Sequence, residues 1–209
     1  MKVGNPRTSG SWQGSGQRPE KGFCMKSILI IGLGRFGRHL CRKFMSLNNE
    51  VMIVDRDEAA VTALADEVTS AQIADCTDEN ALRALGVKNF DLCFVCIGSD
   101  FASSLLITST LKEMGAARVV AKAARDVHAK LLLRNGADEV VYPERDSAER
   151  LATRLSAQNV FDYIELTDEY SIYEIAPMEN WVGRSVREVD VRNKYHINIL
   201  AVKEDGALK

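Results

Sequence analysis

Three glycines stand at positions 32, 34 and 37, directly after the apolar run 28–31, in the stretch ILIIGLGRFGRHLC. The spacing G-x-G-x-x-G between a strand and a helix suits a phosphate cradle. Gly32 permits a tight turn, Gly34 lets the backbone approach a pyrophosphate, and Gly37 allows close helix–strand packing. The helix that opens there offers free N–H groups and the positive end of its dipole to an anion. Arg35 stands inside the loop, followed by Phe36. A guanidinium in a first helical turn is unfavourable unless an anion is near, and it can clamp a phosphate with two parallel hydrogen bonds. The competing reading is a surface arginine.

Asp55 ends the next apolar run, 18 residues after Gly37. A carboxylate there accepts hydrogen bonds from ribose hydroxyls and repels a 2′-phosphate. Arg56 beside it blurs that distinction between NAD and NADP. Three later turns also fall where ligands gather in this kind of fold, outside the carboxyl ends of strands. They are Asp75-Cys76-Thr77, Ile97-Gly98-Ser99 and Lys122. Thr77 reads equally well as an ordinary helix cap.

Catalytic groups are harder to find. The chain has no Tyr-x-x-x-Lys pair, no G-x-S-x-G and no Ser/His/Asp or Cys/His order. About fifty residues follow the strand–helix alternation, which is small for a substrate domain. The expectation is a protein that binds a nucleotide without transforming it. The alternatives are a small NAD(P)-dependent oxidoreductase and a nucleotide-binding domain that regulates some other partner. The five cysteines are odd in number and dispersed, which fits a reducing compartment better than a disulfide framework. Cys93 and Cys96 form C-x-x-C, but within a strand-like run their side chains point to opposite faces and cannot pinch a metal. The three histidines are isolated from them.

The elements that must position these groups alternate regularly. SILIIG, EVMIVD, SAQIAD, DLCFVCIG, ARVVAKA and DEVVYP read as six short apolar strands. Helices are expected over 35–47, 57–67, 78–85, 100–115 and 126–136, the third capped by Thr77 and stopped by Gly86. Apolar strands buried on both faces imply an α/β, doubly wound parallel sheet of Rossmann-like form. A further helix is expected over 144–158. Beyond it the pattern changes. FDYIELTDEYSIYEIAP reads as two strands around a polar turn, followed by a helix near 184–193 and a strand INILAVKEDG. The expected organisation is a Gly-, Ser- and Pro-rich disordered tail over 1–24, a nucleotide-binding domain over 25–158, and a smaller α+β lobe over 159–209, cut short at its end.

At 46% hydrophobic, 209 residues can build such a core. The net charge of −2 gives no field that attracts nucleic acid. The longest apolar runs fall far short of a membrane span.

The stretches ILIIGLGRFG, VMIVDRDE, IADCTDENALRALGV, FVCIGSD, VVAKAARDVHAKLLLRNGADEVVYPERD and NVFDYIELTDEYSIYEIAP together resemble the RCK domain, the regulator of potassium conductance. The form they resemble is the cytosolic regulatory subunit of Ktr/Trk-type bacterial potassium uptake systems, from residue 26 to about 205. The resemblance implies a non-enzymatic subunit, peripheral to the inner face of the cell membrane, beneath a membrane-embedded potassium channel or transporter. It implies a homodimer that assembles into a ring, usually an octamer, and ATP or ADP, or in some relatives NAD(H), as the gating ligand. It gives the glycines the phosphates, Asp55 the ribose and Arg35 the terminal phosphate, of its own or a neighbouring subunit's nucleotide, and it matches Lys122, a further candidate phosphate contact, to the family's KA position. It gives Glu144 a share in holding Mg²⁺ or Ca²⁺. In the smaller lobe it places Arg192, Ile197 and Asn198 at a cyclic di-AMP site, where an ordinary helix–strand unit is the competing reading.

Overall fold

Short apolar runs bounded by turn residues form a six-stranded parallel sheet. The structure is a computed structural model and describes residues 25–156, 160–167, 169–204 and 207–208. The sequence expectation of a disordered tail over 1–24 lies outside the described residues. The chain divides into two units, one ending at Pro143 and one beginning at Glu144.

In the first unit the strands are β1 (Ser27–Ile31), β2 (Glu50–Asp55), β3 (Ser70–Ile73), β4 (Leu92–Val95), β5 (Val119–Lys122) and β6 (Glu139–Val141). The helices between them are α1 (Arg35–Ser46), α2 (Glu58–Thr62), α3 (Glu79–Ala84), α4 (Phe101–Glu113) and α5 (Asp126–Arg134). The sheet order is β3-β2-β1-β4-β5-β6, all parallel. This is the doubly wound order expected from the alternation.

Alternate residues of each strand serve opposite faces. Leu29 and Ile31 of β1 join Cys93 and Val95 of β4 in one core, under Ile107 and Leu111 of α4. Ile28 and Ile30 join Phe94 and Cys96 in the other, under Leu33 and Cys41. Cys93 and Cys96 therefore lie on opposite faces, both buried.

Four local expectations are corrected. The helix expected over 57–67 is α2, capped by Asp57, and then a tighter turn at Ala65–Glu67. Asp78 caps α3, because Thr77 donates its hydroxyl to Asp75 instead. In the second unit, the helix near 184–193 is two short helices, α7 (Val186–Val189) and α8 (Val191–Tyr195), separated at Asp190 with φ 54°. That unit begins in α6 (Pro143–Ser156) and contains the hairpin β7 (Val160–Glu165) and β8 (Ser171–Ile175). The strand expected over INILAVKEDG is reduced to β9 (Lys203–Glu204), paired with β10 (Ala207–Leu208).

Candidate functional site

β1 and β4 are neighbours, but the chain winds away from them in opposite directions, so the loops leaving their carboxyl ends diverge. This is the switch point at which ligands settle in such sheets. It holds a cleft of about 220 Å³.

The glycine turn contributes Gly32 and Gly34 to the cleft, and β2 contributes Asp55 and Arg56. Asp75, Cys76 and Thr77 follow β3, and Ile97, Gly98 and Ser99 follow β4; all line it.

The three glycines of the turn differ in what demands them. Gly32 has φ +97°, and a Cβ there would lie 3.1 Å from Ile97. A Cβ on Gly37 would lie 2.1 Å from the Gly32 carbonyl oxygen, an impossible overlap that explains the close approach of α1 to β1. Gly34 is neither strained nor crowded. Its φ of −64° suits any residue, and a Cβ there would meet no protein atom within 4 Å. The fold accounts for Gly32 and Gly37. Neither strain nor crowding accounts for Gly34, which opens onto free space at the start of α1. Gly34 also caps α1, with no side-chain cap and no acidic residue in the first turn, so the anion-attracting end of the helix is left for a ligand.

The opposite rim is rich in acceptors. Asp55 Oδ2 accepts from the Leu33 N–H at 2.6 Å and Oδ1 from the Asp57 N–H at 3.0 Å. A carboxylate oxygen carries two lone pairs, so each retains capacity for a ribose hydroxyl. Asp75 Oδ1 accepts from the Thr77 hydroxyl at 2.7 Å and its N–H at 2.9 Å. Those bonds, with the Arg56 charge, hold the Asp75 carboxyl below its ordinary range. Asp100 caps α4 and accepts from the Ser103 hydroxyl at 2.6 Å and N–H at 3.1 Å. Its carboxyl is likewise held low, chiefly by Ser103. Burial pushes the Cys76 thiol up to about 12, helped by Asp75 and Asp55, and burial pushes Cys96 up to about 12. Both thiols are neutral near pH 7, so neither is poised as a nucleophile.

The remaining expected residues lie elsewhere. Arg35 is exposed on the first turn of α1, beside the cleft lining rather than in it. Phe36 packs against the core under α1. Lys122 is half-buried, and its Nζ is 3.3 Å from where a Cβ on Gly98 would stand, so its ammonium borders the loop after β4. Glu144, in the first turn of α6, Arg192, in α8, and Ile197 and Asn198 are exposed residues of the second unit. Sequence reading missed Ala74, Asp100, Ser103 and Ile107, which also line the cleft. The Asp-x-x-Ser spacing at 100–103 is a helix-start signal that could have pointed to two of them.

A model of the TrkA-N domain matches residues 28–143. The chain is 43% identical over 178 residues to the Ktr system potassium uptake protein C of Bacillus subtilis (strain 168), covering 85% of this chain and 80% of that protein. The solved GsuK channel bound to NAD superposes with a TM-score of 0.65 at 21% identity, over 92% of this chain and 35% of that one. GsuK bound to ADP superposes with a TM-score of 0.56 at 22% identity, over 65% of this chain and 36% of that one. The two structures share the fold.

Proposed function

The chain belongs to the TrkA-N domain family, and we propose that it is a nucleotide-sensing regulatory subunit of a potassium uptake system. One observation carries the nucleotide part. At the switch point of the sheet, α1 starts at Gly34 with no side-chain cap, on a glycine that neither strain nor crowding requires. The acceptor-rich rim at Asp55, Asp75 and Asp100 suits the hydroxyl and amino donors of an adenosine. The glycine turn suits its phosphates.

The ligand we propose is ATP or ADP, with NAD(H) the competing occupant of the same turn. GsuK has been solved with NAD and with ADP. Gly32, Gly34 and Gly37 form the phosphate turn, with Phe36 beside it, and Asp55 and Arg56 take the ribose side. Asp75, Cys76, Thr77, Ile97, Gly98 and Ser99 surround the base and ribose. Arg35 and Lys122 reach the distal phosphates. Glu144 helps hold Mg²⁺ or Ca²⁺, a hard-oxygen site for a hard cation. The subunit acts by binding rather than catalysis. A ligand shifts a conformational equilibrium only by its differential affinity for the two states, and a γ-phosphate is the difference between ATP and ADP. In this reading the chain is cytoplasmic and lies against the inner face of the membrane. It pairs with a second copy, builds a ring and binds a membrane-embedded potassium-conducting subunit. The nucleotide domain spans 25–158 and the lobe 159–209, where Arg192, Ile197 and Asn198 offer a place for cyclic di-AMP.

Calorimetric titration with ATP, ADP, NADH and cyclic di-AMP, with and without Mg²⁺, tests this. Saturable ATP and ADP binding is expected, with Mg²⁺ favouring ATP. Arg35→Ala is expected to bring the ATP/ADP affinity ratio toward one. An unchanged ratio removes Arg35 from phosphate sensing. Binding of NADH alone replaces the phosphate sensor with a redox sensor.

A further inference from the structure

The backbone of Leu33, between the first two glycines of the turn, is gripped through both peptide groups that flank its Cα. Its N–H donates to Asp55 Oδ2 at 2.6 Å, and its C=O accepts from Arg38 Nε at 2.7 Å. Its side chain is 1% exposed and packed in the core under α1. The residue before it is fixed as well, since the Gly32 N–H donates to the Val54 carbonyl at 2.9 Å. An anion bound by this turn needs its N–H groups aimed together, and the Leu33 backbone sets that aim. Both bonds to it are charge-assisted, one from a carboxylate and one from a guanidinium, and such bonds are the strong ones. Arg38 is an exposed residue near the positive end of α1. A cation is electrostatically disfavoured there, so its burial value and its charge do not explain its placement. The clamp does.

We propose that Arg38 is a positioning residue of the phosphate turn. With Asp55 it clamps the Leu33 backbone, so the turn stands in its anion-binding geometry before a ligand arrives. This deepens the nucleotide reading and rests on it. Ordering the turn in advance removes a cost that binding must otherwise meet. Asp55 then links the two halves of the ligand, because the carboxylate that accepts ribose hydroxyls also holds the phosphate turn.

The test uses the full chain as wild type, Arg38→Lys and Arg38→Met. Each is titrated with ADP, inorganic pyrophosphate and adenosine, and amide hydrogen exchange is followed at Leu33 and Gly34 without ligand. Both variants are expected to lose affinity for ADP and pyrophosphate by roughly ten-fold, to keep wild-type affinity for adenosine, and to exchange these amides faster. Lysine does not rescue, because its ammonium lacks the fixed planar N–H that reaches the carbonyl. Wild-type binding by Arg38→Lys overturns the clamp in favour of a simple charge effect. An equal loss for adenosine overturns it in favour of general damage. Unchanged amide exchange overturns it outright. A wild-type protein that binds neither ADP nor pyrophosphate overturns the ATP/ADP reading on which the clamp rests, whereas normal wild-type binding with unaffected variants overturns the clamp alone.

Discussion

The sheet up to Pro143 covers its central strands on both faces, whereas among the described residues the hairpin β7–β8 buries no side chain. In the first unit, runs such as Ile28–Leu29–Ile30–Ile31 are almost wholly shielded. In the second, Phe161 is 59% exposed, Tyr170 67% and Tyr173 52%, and only Val189 and Val191 among the described residues are buried. The Tyr163–Tyr173 stack and the edge-on Trp181–Tyr195 pair keep aromatic rings together without covering them. The two units have similar apolar side chains and different means of burying them. A sheet layered by helices is self-sufficient. A two-stranded hairpin with apolar side chains in solvent is marginal alone, and such patches mark surfaces that meet something else.

The sharpest way to break this comparison is to separate the units, and it has the largest expected effect. A chain of residues 25–143 is expected to melt cooperatively and to keep the phosphate turn. A chain of residues 144–209 is expected to give no cooperative transition by circular dichroism at low micromolar concentration. A cooperative melt of the second chain, independent of its concentration, would show that the hairpin is stable without a partner. Next in size is a contrast inside the first unit. Gly37→Ala places a methyl 2.1 Å from the Gly32 oxygen and is expected to cost about 3 kcal/mol or more in denaturant unfolding. Gly34→Ala adds the same methyl to open space. It is expected to cost no more than about 1 kcal/mol, the loss of a glycine cap, while weakening ADP binding. Equal destabilisation by both would mean the fold, not the ligand, requires Gly34.

The same contrast explains what the sequence could reveal. Strands covered on both faces must be apolar throughout, so SILIIG and DLCFVCIG announce themselves. Gly32 and Gly37 are legible because backbone geometry and close approach there admit almost no other residue. INILAVKEDG has the same apolar look, yet its residues 197–202 join no ladder, because composition makes a segment strand-compatible and only a partner makes it a strand. Thr77 and Asp78 are both competent caps. Asp78 is the cap, with extended backbone just before α3 and its carboxylate accepting from the Asn80 N–H, while the Thr77 hydroxyl donates to Asp75. Arg38 and Asp100 were illegible as site residues. Arg38 reaches back only to Leu33, but that contact follows from how the turn folds and not from residue type; Asp100 reads as a helix cap, and only the sheet order shows that it lines the cleft.

The smallest expected effect compares one paired carboxylate in each unit. Asp138 accepts from Lys112 at 2.8 Å through both oxygens and from the Val119 N–H at 2.7 Å, tying α4 to the start of β5. Partial burial pushes its carboxyl up, but the Lys112 ammonium and the Val119 N–H outweigh it and leave the group below its ordinary range. Asp162 pairs with Arg150 at 2.9 Å in the second unit and is also held low, chiefly by that guanidinium. A carboxyl depressed on folding contributes stability above its unfolded value, near pH 4, and loses it as pH falls through the folded value. Asp138→Asn is therefore expected to cost at most about 1 kcal/mol at pH 7, given how exposed the pair is. The variant and wild-type stability curves should converge as pH drops below about 4. Asp162→Asn is expected to move the melt of the full chain less, because its ion pair fastens α6 to a hairpin that carries no buried core. A larger loss at Asp162 than at Asp138, persisting in high salt, would mean that the second unit is held by its own ion pairs. The burial contrast between the two units would then not be what sets their stability.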